Sequence, residues 1–91
     1  MNLSQYISTT SMTKPYKAQI VLAMLNGATT LSAIEQSTGI PSKVLKAMPL
    51  KVMAGNGAIS YNLTSGHYAF MLEVDTAATI SACNERLVRF A

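Results

Sequence analysis

Two short apolar-patterned segments meet at Thr38-Gly39-Ile40-Pro41-Ser42, and that junction limits what this chain can fold into. Upstream, Thr29 and Thr30 both suit a helix cap, and Leu31 and Ile34 supply one inward face. Ser32 and Glu35 also have capping-box spacing, although they fall inside the helix. Gly39 suits the left-handed residue that ends such a helix. Downstream, Pro41 suits the start of a second helix, where its missing N–H would have no partner anyway. Val44, Leu45 and Met48 then recur on one helical face. Pro49 would remove a hydrogen bond and clash with the Leu45 carbonyl in a continuous helix, costing roughly 3 kcal/mol. The second helix is therefore expected to end near Met48. A separate turn or kinked extension should follow through residues 50–54.

The flanking sequence adds further elements. Lys14-Pro15 opens an earlier helix with Ile20, Val21, Met24 and Leu25 on one stripe, and Asn26-Gly27 stops it. Gly55-Asn56-Gly57 marks a turn. Ile59, Tyr61 and Leu63 then alternate with small polar residues, Thr64-Ser65-Gly66 bends the chain, and residues 67–72 return, which together read as a β-hairpin. Asp75 caps a last helix over residues 75–90, whose stripe is Ile80, Cys83, Leu87 and Phe90. Residues 1–13 are rich in Ser and Thr. Only Leu3, Tyr6 and Ile7 suggest a single amphipathic turn there, so a partly ordered arm is expected. The expected fold is mainly α with a small β-hairpin (α+β), as one domain over residues 14–91.

Composition narrows the class. The 91 residues suffice for one domain, with no room for a second or for a deep catalytic cleft. A hydrophobic fraction of 49% and a mean hydropathy of +0.26 exclude a disordered chain. That apolar content also implies some surface that meets a partner. The net charge of +3 is unevenly placed. Residues 1–58 hold Lys14, Lys17, Lys43, Lys46 and Lys51 against Glu35 alone, whereas residues 59–91 hold Arg86 and Arg89 against Glu73, Asp75 and Glu85. One-sided basic charge is the footprint of a polyanion binder. Cys83 is the sole cysteine, so neither an intramolecular disulfide nor a cysteine metal pair is expected. A reducing, cytoplasmic setting is the corresponding expectation. No apolar run approaches the roughly 18 residues of a membrane span, and no secretory signal is evident. Catalysis is not expected, because the four acids form no close pair on one face and no nucleophile–base pair is readable. His67 stands alone, so no metal and no cofactor are expected.

The block from Thr30 through Val44 resembles the helix-turn-helix of winged-helix regulators of bacteria, phages and plasmids. Gly55-Asn56-Gly57-Ala58-Ile59-Ser60-Tyr61 resembles the step from the recognition helix into the wing. The resemblance spans residues 14–73. The break at Pro49 departs from it, since the recognition helix usually continues there.

The resemblance implies a winged helix-turn-helix with three core helices, a wing and a C-terminal helix. It also implies sequence-specific binding of double-stranded DNA by a transcriptional regulator. Ser42, Lys43 and Lys46 would face the groove. Thr29 and Thr30 would meet phosphate at a helix N-terminus. Lys14, Lys17 and Lys51 would meet flanking backbone, and Asn62, Ser65 and His67 would form the wing tip. Ile80, Cys83, Leu87 and Phe90 would join a homodimer that reads two half-sites. The alternatives are a protein-binding adaptor on the same fold and a replication or partition accessory factor. Tyr61, Tyr68 and Phe70 could form a stacking platform for single strands, though packing of the wing against the helices is favoured.

Overall fold

Asn2 organises the first element. Its Oδ1 accepts the Gln5 N–H at 2.9 Å, and Gln5 Oε1 accepts the Asn2 N–H at 2.9 Å, a reciprocal cap that opens α1, Leu3–Thr9. The computed structural model describes residues 1–11 and 13–90. Met12 of the expected arm and Ala91 at the end of the expected domain lie outside the described residues.

The arm expectation is corrected at α1. Leu3, Tyr6 and Ile7 are all buried and belong to the main core. Three further bonds stitch this helix to distant parts of the chain. The Leu3 N–H donates to the Glu73 carbonyl at 2.9 Å. The Tyr6 hydroxyl donates to Asn56 Oδ1 at 2.9 Å, and the Arg86 guanidinium donates to the Ser8 carbonyl. Three apolar side chains in one turn are a weak periodic signal, and the long-range partners that fix them are invisible to local pattern.

Next come α2, Tyr16–Leu25, and α3, Leu31–Thr38. Pro15 stands at the N-cap of α2. Gly27 leaves that helix at φ +97°, the left-handed region where glycine has no Cβ penalty. Thr30 caps α3 by accepting the Ala33 N–H at 3.2 Å. The Ser32–Glu35 capping box does not form, since Ser32 lies past the cap and Glu35 bonds elsewhere.

The helix α4, Ser42–Ala47, stops one residue before α5, Pro49–Gly55. Between them Met48 adopts φ −134°, ψ −78°, outside helical geometry. Pro49 thereby becomes the first residue of a new helix, where its missing N–H costs nothing.

The strands β1, Ile59–Tyr61, and β2, Tyr68–Phe70, pair antiparallel as Ile59 with Phe70, Ser60 with Ala69, and Tyr61 with Tyr68. They are shorter than the alternation suggested. Asn62 Oδ1 accepts the N–H groups of Thr64 and Ser65, which begins the turn at Asn62 and throws Leu63 out to 89% exposure. A bridge between Thr30 and His67 ties the hairpin to the start of α3, and the Tyr68 N–H donates to the Thr29 carbonyl at 2.7 Å.

The last helix, α6, Thr76–Arg89, is capped by Asp75 Oδ1, which accepts the Ala78 N–H at 3.2 Å. It packs on α1 and α2, and the core runs continuously from there to Leu45, Leu50 and Met53. Of the stripe expected to meet a second copy, Cys83 is wholly buried and Leu87 half-buried against this same core. Cys83 therefore has no surface to offer a partner, and burial pushes its thiol up to about 11, so it is an inert core residue. Ile80 and Phe90 keep about 40% of their surface open. Among the described residues no helix is long and apolar enough to cross a membrane.

Candidate nucleic-acid interface

The turn between α3 and α4 fixes the geometry of the site. Gly39 ends α3 at φ +74°, with its N–H donating to the Glu35 carbonyl at 2.8 Å. The Glu35 side chain then reaches across the turn. Its Oε1 accepts the Ser42 N–H at 2.5 Å and also the Ser42 hydroxyl. A carboxylate thus caps the N-terminus of α4, where the unpaired N–H groups and the helix dipole favour negative charge. The two Ser42 donors hold the Glu35 carboxyl below the ordinary carboxylate value. The latch contributes stability above about 4.5 and loses it as pH falls through the lowered folded value. Glu35→Gln is therefore expected to melt earlier than the parent chain near neutral pH. The difference should shrink once both are measured well below that range, and thermal unfolding followed by circular dichroism at several pH values checks it.

This latch changes the role expected of Ser42. Its hydroxyl and N–H are both engaged inside the chain, so it sets the angle between α3 and α4. Leu45 points inward and is wholly buried, while Lys43 and Lys46 are exposed on the outer side. Val44 and Met48 line one hollow together with Lys14, Tyr16 and Lys17 at the start of α2. Lys46, Leu50 and Lys51 line a second hollow of about 300 Å³ together with Leu31, Tyr61 and Tyr68. The two short helices therefore form a ridge between two hollows, and lysines stand on both sides of it.

The five lysines differ in how free they are. Lys43, Lys46 and Lys51 are exposed. Lys14 Nζ lies 5.7 Å from the centre of the Tyr16 ring, within cation–π range. Lys17 Nζ donates to Thr10 Oγ1 at 3.0 Å and to the Ser11 carbonyl at 3.2 Å, and partial burial lowers its pKa. The acids Glu73, Asp75 and Glu85 belong to α6 and the segment before it, and Glu85 accepts from Arg89 at 2.9 Å. Among the described residues Glu35 is the acid beside the ridge, and it is occupied by Ser42.

The threonines and the hairpin tip are also largely committed. Thr30 Oγ1 serves as the α3 cap. The Thr29 hydroxyl lies 2.6 Å from His67 Nδ1, a hydrogen bond whose direction follows the ring tautomer. Asn62 Oδ1 is used in its own turn, and Ser65 Oγ accepts the His67 N–H at 3.3 Å. Leu63, which alternation assigns to a strand, lies beyond β1 and is 89% exposed at the tip. Among the described residues no group of three His, Cys, Asp or Glu side chains could hold a metal ion.

Sequence reasoning missed two features of this region. Glu35 and Ser42 are seven residues apart across a turn, so neither periodicity nor motif joins them. Tyr61 and Tyr68 lie directly opposite across the hairpin, with ring centroids 4.7 Å apart and planes tilted by 48°. Their near-equal distance from the Thr64-Ser65 bend was the available signal. Of the three aromatic residues considered for stacking, Phe70 and Tyr68 are half-buried against the core, whereas Tyr61 is 46% exposed. Comparison with protein-family models, curated proteins and solved structures finds no match.

Proposed function

We propose that the chain binds double-stranded DNA as a small transcriptional regulator of winged helix-turn-helix type. In this reading α3 and α4 form the helix-turn-helix, with α4 as the recognition helix and the β-hairpin as the wing. The observation that carries it is the ridge of α4. Glu35 fixes its N-terminus, Leu45 anchors it, and Lys43 and Lys46 remain exposed outward with Lys51 beside them. The Thr30–His67 bridge adds support, because it ties the hairpin beside the start of α3, the arrangement a wing requires. Two half-sites would be read by a homodimer, for which Ile80 and Phe90 on α6 remain available, and the setting would be cytoplasmic.

A duplex titration at several salt concentrations tests the reading. Affinity should fall steeply with salt, because each neutralised phosphate releases counterions. The double variant Lys43→Ala/Lys46→Ala should bind at least about tenfold more weakly and lose about two units of the salt slope. A chain with no affinity for duplex at low salt would sink the proposal. One observation favours a protein partner instead: the hairpin tip presents the apolar Leu63, not a cation. Leu63→Ser separates the two readings, since it would abolish capture of a protein partner and leave phosphate contacts intact.

A further inference from the structure

We infer that the hollow between α5 and the hairpin receives an unpaired nucleobase, so that the protein engages duplex DNA next to a single-stranded stretch. The inference rests on the reading of α4 as a DNA-contacting helix, and extends it to the substrate. The hollow measures about 300 Å³, enough for one planar base, and its walls are chemically divided. Leu31 and Leu50 close its inner side, and Tyr61 and Tyr68 supply aromatic rings. Lys46 and Lys51 stand at its rim.

Each part has a reason to meet a nucleotide. Tyr68 is half-buried and backed by the core, so it holds the ring pair in place. Tyr61 is 46% exposed, although Ile59, two residues earlier on the same face of β1, and its cross-strand partner Phe70 turn into the core. An aromatic ring held rigid but left open offers a base a stacking surface without a large ordering cost. The two lysines, with no acid among the lining residues, suit the phosphates on either side of that base. Lys46 belongs to both this hollow and the outer side of α4, so the strand entering the hollow would be continuous with the duplex on the ridge. An apolar peptide would also find Leu31 and Leu50, but it would leave the two cations unpaired.

The test compares a blunt duplex, the same duplex with a single-stranded extension, and the single strand alone. The parent chain should bind the tailed duplex about tenfold more tightly than the blunt one, within the range that stacking of one base supplies. Tyr61→Ala should erase that preference and leave blunt-duplex affinity unchanged, while Tyr61→Phe should retain it. The chain contains no tryptophan, so Tyr61→Trp introduces a sole reporter. Its emission should be quenched by the tailed duplex and not by the blunt one. Equal affinity for blunt and tailed duplex overturns the inference and leaves the duplex reading standing. Single-strand binding lost in Tyr61→Ala, with no duplex binding, overturns the duplex reading and keeps the hollow. No binding to any of the three overturns both.

Discussion

Replacing Ile7 by alanine should lower the stability of the whole fold by about 2–5 kcal/mol, the cost of emptying a wholly buried aliphatic site. A domain of this size has only about 5–15 kcal/mol in total, so the effect should show as a large fall in the denaturant midpoint. The reason lies in where α1 sits. It covers α6 and contributes Leu3, Tyr6 and Ile7 to the same cluster as Ile20 and Leu45. Removing residues 1–10 should be worse, because it also strips the Leu3–Glu73 and Arg86–Ser8 bonds and bares one face of α6. Urea unfolding monitored by circular dichroism measures both. Thr9→Ala is the matching control, since Thr9 is exposed and should shift the midpoint little. An Ile7→Ala midpoint equal to that of the parent would mean that α1 is detached from the fold in solution.

The second large effect is expected at Leu45. In α4 it is the only buried side chain, so the helix is anchored to the core through a single residue. Leu45→Ala should again cost about 2–5 kcal/mol. It should also free α4 selectively. Hydrogen exchange at the Leu45 and Met48 amides, which bond to Pro41 and Val44, should accelerate more than exchange in α2 or α6. Lys46→Ala, one residue along on the exposed side, should change stability by no more than about 0.5 kcal/mol. That contrast separates anchoring from surface chemistry within one short helix. Uniform acceleration across all helices would show instead that α4 opens only with global unfolding.

These two sites also mark where the sequence was legible. Helices α2, α3, α4 and α6 were readable, because caps and breakers acted locally, whereas α5 was expected only as a turn or kinked extension over residues 50–54. Thr30, Gly39, Pro49 and Asp75 each fix a boundary through a bond or a clash with close sequence neighbours. The helix α1 was not readable as a packed element. Its partners Asn56, Glu73 and Arg86 lie dozens of residues away, and a single turn with three apolar residues reads equally as a floppy end. The candidate site divides in the same way. The outward placement of Lys43 and Lys46 follows from helical period. The withdrawal of Ser42 depends on a glutamate across a turn, and the Tyr61–Tyr68 pair depends on hairpin register. The stripe expected on α6 matches its buried face only in part, since Thr79, Ala82 and Cys83 are buried while Ile80 and Phe90 stay open, and period does not say whether the chain itself or a second copy covers such a face. Here α1 and α2 cover much of it.

The break at Met48–Pro49 has a consequence for how this protein can change over generations. A six-residue helix is too short to persist by its own propensity, so its shape is imposed from the two ends and from Leu45. The outward positions Lys43, Lys46 and Ala47 take almost no part in that imposition. Substitutions there are therefore nearly silent for folding while they rewrite the chemistry displayed to the outside. The chain has a fixed mount and an interchangeable head, so the chemistry on the outer side of α4 can be rewritten by a few surface changes without passing through an unstable intermediate.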